Sequence, residues 1–89
     1  MVNNVVTAEN NTVGLNMTIL GTVRYHDLEG GFWGIEGDDN NKYKPINAIP
    51  DKFLVDGCRV KAEVEPANVI SFTMWGQMVN VLNIESQLI

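Results

Sequence analysis

LEGGFWGIEGDDNNKYKPIN, residues 28 to 47, is the stretch on which the reading of this fold turns. Glu29-Gly30-Gly31 offers residues that tolerate positive φ, and an apolar β-sequence resumes at once in Phe32-Trp33-Gly34-Ile35, so a turn feeds a strand. Gly34 and Gly37 within or beside that strand predict a bulge or a sharp bend of the kind found at barrel corners. Asp38-Asp39-Asn40-Asn41 is a turn by chemistry, because these side chains bond their own backbone and accept the left-handed region. Lys42 to Asn47 then forms a short strand, ended or pushed to an edge by Pro45, which has no N–H to give to a ladder.

Upstream, Met17, Ile19, Gly21, Val23 and Tyr25 alternate with Thr18, Leu20, Thr22, Arg24 and His26, a period of two that predicts the first strand. Residues 1–14 are rich in Asn and carry little pattern, which predicts a mobile tail ahead of a single domain over 15–89. Downstream, Pro50 and Gly57 bracket a segment that fits one to two turns of helix. Cys58, Val60, Ala62 and Val64 alternate with Arg59, Lys61, Glu63 and Glu65, the cleanest half-buried strand of the chain. Pro66-Ala67-Asn68 breaks it. Val69 to Trp75 and Met78 to Ile84 read as one or two strands, apolar on both faces, so their register stays open.

Three strands, a short helix and two further strands is the order of an all-β, five-stranded, OB-like Greek-key barrel with its helix between strands three and four. An SH3-like barrel or a small open β-roll uses the same number of strands and stays open as an alternative.

At 89 residues the chain has room for one modest core and none for a second lobe around a cleft. With 45% apolar and 19% charged residues its composition is that of a globular protein, so a core is expected. A formal charge of −5 repels polyanions and removes the footprint of a general nucleic-acid binder. A local basic strip of Arg24, Lys42, Lys44, Arg59 and Lys61 is still compatible with that total. The single cysteine, Cys58, rules out an internal disulfide and a cysteine-rich zinc site. It fits a reducing, cytoplasmic setting, or export if a leader has been removed. No run is apolar and long enough to span a bilayer, and the first residues lack a signal-peptide pattern.

The blocks GTVRYHDLEGGFWGIEGDD, KYKPIN, IPDKF, DGCRVKAEVEP and SFTMWG follow one another as in a family of small prokaryotic OB-like domains. That family is characterised by LEGGF(W/Y)GI, YxPIN, DGxxV and SxxMWG segments, and the likeness covers about residues 20–86. The resemblance implies a compact OB-like fold with no assigned biochemical activity, and it transfers no catalytic residue. Members that look like exported lipoproteins carry a leader for which this sequence gives no sign.

Catalysis through Cys58 and His26 needs a thiolate beside an imidazole and a third group to orient the base. Cys58 is in phase with Val60, Ala62 and Val64, which predicts a small buried hydrophobe, and His26 falls on the polar phase of the first strand. Asp27, Glu29, Glu36, Asp38 and Asp39 are the right ligands for a hard cation, but their spacing matches no calcium loop and solvated turn acids explain them. No catalytic residue, metal or cofactor is expected. The constellation of interest is aromatic and basic: Arg24, Trp33, Lys42, Tyr43, Lys44 and Trp75, with Tyr25 and Met74 beside them. On an OB-like barrel the outer face of strands two and three is the customary binding surface, where rings stack and cations steer. Against this, Trp33 and Trp75 are large enough to close the two ends of a small core. The sequence therefore predicts a non-enzymatic binding module with a protein or peptide partner. Single-stranded nucleic acid or an oligosaccharide on that aromatic and basic face is the alternative.

Overall fold

The computed structural model describes residues 16–67 and 75–87; the expected tail and most of the Val69 to Trp75 segment lie outside the described residues. Among the described residues there are five strands: β1 Met17–His26, β2 Phe32–Gly37, β3 Lys42–Pro45, β4 Arg59–Pro66 and β5 Gln77–Ser86. They close into a barrel in the order β1-β2-β3-β5-β4, the five-stranded closed barrel expected. Every pairing is antiparallel except that of β3 with β5.

The closure depends on β1, which pairs with two neighbours in succession. Its first part, Met17 to Thr22, runs against β4, and its second part, Gly21 to His26, runs against β2. Gly21 belongs to both pairings. A Cβ there would lie 2.5 Å from the Glu36 carbonyl oxygen, so only glycine lets the strand coil this closely over β2. The β1–β2 register runs through Gly34 and Gly37 without a shift, so neither forms a bulge. The β1–β2 turn is built as its sequence requires, with Glu29, Gly30 and Gly31 all at positive φ. In the next turn Asn40 has φ 70°, and Asp39 Oδ1 accepts the Asn41 N–H at 3.0 Å.

Alternation delivers the core. Ile19 and Val23 of β1, Ile35 of β2, Tyr43 of β3, Val60, Ala62 and Val64 of β4, and Val79 of β5 point inward. Ile49 and Phe53, from the segment that crosses from β3 to β4, fill the barrel end. The expected helix is only one 3-10 turn, Asp51–Phe53. Pro50 precedes it with ψ 140° and without a side-chain cap, and Leu54 leaves it with ψ 65°, so the burial of Phe53 sets the chain path there.

In β5 the open register has a physical cause. Val64 faces Val81 and Glu63 faces Asn83, which leaves Leu82 as an extra residue at a bulge. Val79, Val81 and Ile84 pack on the core while Leu82 is 48% exposed. The inward phase therefore steps by two and then by three, and a strict period-two reading cannot follow it.

Candidate binding surfaces

The outer face of β1, β2 and β3 carries Arg24 and His26, then Phe32, Gly34 and Glu36, then Lys42 and Lys44. Trp75 folds onto this face from the segment before β5. Its indole lies over Gly34, where an added Cβ would sit 2.3 Å from the ring. Around it is a ring cluster: His26 is 4.4 Å from Trp75 and 5.2 Å from Phe32, and Phe32 meets Trp75 at 5.2 Å, all between centroids. The Lys44 ammonium lies 4.2 Å from the Phe32 centroid and that of Lys42 5.9 Å from the Trp75 ring.

His26 is consequently no solvated strand residue. Its side chain is 19% exposed, and Nε2 is enclosed, without a hydrogen-bond partner among the described residues and 3.8 Å from Glu36 Oε2. The period-two pattern placed it outward correctly, but it gave no sign that a tryptophan more than forty positions on would cover it. Phe32 and His26 are the members of this face that residue-type reasoning passed over, and the available signal was their direct pairing across β1 and β2.

The predicted contact residues separate into three groups. Arg24, Lys42, Lys44 and Trp75 share the outer face. Trp33 is on the opposite phase, in line with Ile35; it packs against the core and meets Tyr25 edge-on at 5.1 Å, closing one barrel end. Tyr43 is a core residue, 3% exposed, so its ring has no face for a ligand. Its hydroxyl donates to Asp39 Oδ2 at 2.7 Å. Burial first, and the Asp39 bond second, push the phenol above its ordinary pKa, while the bond from Tyr43 holds the Asp39 carboxyl below the usual range.

The basic strip does not assemble. Arg24 lies between Glu36 at 3.9 Å and Asp56 at 3.5 Å. Arg59 is held by both oxygens of Asp38, at 2.8 and 2.6 Å, and also donates to Thr22 and Gln87. That bidentate bond lowers the Asp38 pKa and raises that of Arg59. Lys61 sits in a shallow polar cleft with Glu63 and Glu85. Only Lys42 and Lys44 of the five offer charge to the β2–β3 face.

Cys58 packs against the core and His26 stands on the outer face within its rings, so the two belong to different environments. Among the described residues no three His, Cys, Asp or Glu side chains converge on a point that would hold a metal ion. No helix among them is long and apolar enough to cross a membrane.

A second surface lies at the barrel end closed by Trp33. Phe32, Trp33, Pro45, Ala48, Ile49 and Leu54 line a groove of about 290 Å³ that is mostly apolar, with Asn47 and Asp51 at its margin. Phe32 links this groove to the ring cluster. Comparisons of the chain with family models, with curated proteins and with solved structures give no match.

Proposed function

We propose that this protein is a non-enzymatic binding module of the OB-like kind, with a peptide segment of a partner protein as its ligand. The observation that carries the reading is the groove of Phe32, Trp33, Pro45, Ala48, Ile49 and Leu54. Its volume, about 290 Å³, lies at the lower limit of roughly 300–1,000 Å³ typical of sites that enclose a small molecule. A groove of that size and apolar lining suits one or two side chains of a peptide, with Asn47 and Asp51 available to its backbone or to a cationic neighbour. The formal charge of −5 favours a partner segment that carries Lys or Arg. The resemblance to small prokaryotic OB-like domains agrees with this reading and adds no activity to it.

The test is an amide NMR titration with capped apolar peptides flanked by lysine. Shifts are expected at Trp33, Ile49 and Leu54, and Leu54→Asp, checked for retained amide dispersion, should weaken binding at least about tenfold. Peptides that leave those amides unmoved would overturn the reading.

A second reading rests on the outer face, where Lys42 and Lys44 flank the His26–Phe32–Trp75 rings as a single-stranded nucleic acid or an oligosaccharide would require. It is weaker on geometry. Lys44 already sits over Phe32, Lys42 stands near Trp75, and Glu36 places a carboxylate on the same face. An oligothymidylate titration decides it: binding that quenches tryptophan and falls steeply with salt supports this reading, and an unchanged spectrum at low salt removes it.

A further inference from the structure

The sheet closes unevenly at one seam. β5 has ten residues and its parallel neighbour β3 has four. Their register covers only Tyr43, Lys44 and Pro45 against Gln77, Met78 and Val79, followed by one bond from the Ile46 N–H to the Val79 carbonyl at 2.9 Å. At the next position the backbone of the neighbour is replaced by a side chain. Asn47 Nδ2 donates to the Val81 carbonyl at 2.8 Å, and Asn47 Oδ1 accepts the Val81 N–H at 2.9 Å. A carboxamide has the donor and acceptor of a peptide group, so Asn47 occupies the place of one residue of a missing strand.

Among the described residues nothing continues that strand beyond Asn47. The Gln87 N–H donates to the Arg59 carbonyl at 3.0 Å, which fixes the phase of the β4–β5 ladder after the bulge. Antiparallel alternation then turns the backbone groups of Glu85 and Asn83 toward β4 and those of Ile84 and Ser86 away from it. Among the described residues no backbone group pairs with that outer side. Alongside runs a trough of about 260 Å³ between Leu82 and Ile84 on one wall and Ala48 and Pro50 on the other. Pro50 has no N–H, so at that position the far wall offers no donor to the ladder.

We propose that the β5 edge at Ile84 and Ser86 accepts an extended segment of a partner protein as an added strand, with apolar side chains alternating with lysine or arginine. The inference goes beyond the peptide-binding reading above by adding a second surface, on the other side of the crossing segment from the Trp33 groove. Main-chain bonds to Ile84 and Ser86 supply the pairing, and Leu82, Ala48 and Pro50 receive the apolar side chains. The positive charge follows from complementarity: Asp51 beside Pro50 is exposed on a chain of formal charge −5, while Glu85 shares its cleft with Lys61.

The probe is a capped peptide of alternating valine and lysine, in three forms: unmodified, N-methylated on one phase of residues, and N-methylated on the other. Added to the full chain, the unmodified peptide should shift the Ile84 and Ser86 amides and slow their hydrogen exchange. One methylated form should lose at least about tenfold in affinity and the other should bind as the parent does, because only one phase faces the edge. Ser86→Pro, which removes a donor turned away from β4, should weaken binding to a similar degree; if it unfolds the barrel, the methylated pair decides alone. Equal binding of both methylated forms overturns the proposal. Shifts at Trp33 and Leu54 without Ile84 and Ser86 overturn it and leave the peptide reading standing. Protection of Ile84 and Ser86 that rises with protein concentration alone overturns it in favour of a second copy, and silence at both surfaces removes both readings.

Discussion

Tyr43 looks like a contact residue when judged by type, since an aromatic ring between two lysines on a strand two to three hairpin fits a stacking surface. Its phase decides otherwise: Lys42 and Lys44 point out, so Tyr43 points in, and Asp39 from the adjacent turn reaches the phenol at the barrel edge. Tyr43→Phe keeps the ring and removes this bond, and a loss of about 1 kcal/mol is expected in urea unfolding. The pH dependence follows from the directions of the shifts. The phenol is raised above its ordinary value, so its contribution is complete below about pH 10 and declines as pH rises through the folded pKa, because the unfolded chain loses its proton first. Asp38 and Asp39 are lowered, so theirs is complete above about pH 4 and is lost as pH falls through their folded values. Urea midpoints should therefore fall at both ends of the range. Tyr43→Phe should flatten the alkaline limb, and Arg59→Met, which releases Asp38, should flatten the acid one. A Tyr43→Phe variant with the parent's alkaline limb would remove this account.

Among the elements, β1 and β5 show how far a period of two can be read. In β1 the pattern of Met17, Ile19, Gly21 and Val23 gave strand, phase and inner face together, because both its pairings keep register through Gly21. The need for glycine there was hidden, since it arises from the carbonyl of Glu36, fifteen residues away in sequence and close only after folding. Gly21→Ala should cost about 3 kcal/mol, the upper part of the range for overpacking, because the atom met is backbone and cannot swing aside. Gly34→Ala meets the edge of the Trp75 indole instead, a side chain that can yield. It should cost less, about 1 kcal/mol, and shift tryptophan emission to the red as Trp75 leaves the ring cluster. Equal urea midpoints for Gly21→Ala and the parent would sink the comparison. In β5 the bulge at Leu82 broke the pattern, and no local residue announces it: the extra residue exists only relative to β4. The same distinction governs the candidate site. Lys42, Lys44 and Trp75 were legible by residue type, whereas the groove at Trp33 needed the crossing segment of Ala48, Ile49 and Leu54 to fold back beside it.

At the scale of the whole barrel, the parallel seam between β3 and β5 is a short one, and the two proposed binding sites lie on either side of it. The crossing segment from Pro45 to Pro50 forms a wall of the Trp33 groove and a wall of the trough beside β5, so what holds that segment holds both. Three parallel residue pairs are a short ladder, and the Ile46 bond adds one rung. Asn47 then joins the segment to Val81 by two further bonds, made by one side chain. Asn47→Ala removes both. At about 0.5–1 kcal/mol each for bonds near solvent, the loss should be roughly 1–2 kcal/mol. A uniform weakening of the barrel would raise hydrogen exchange everywhere to the same degree. A seam that opens by itself should expose Val81 and Ile46 first, while the Val23, Val60 and Ala62 amides of β1 and β4 keep the protection set by global unfolding. Native-state exchange of the parent and of Asn47→Ala measures this. Equal acceleration at Val60 and Val81 would mean that the barrel opens only as a unit, and that Asn47 is one bond pair among many and not the clasp of the seam.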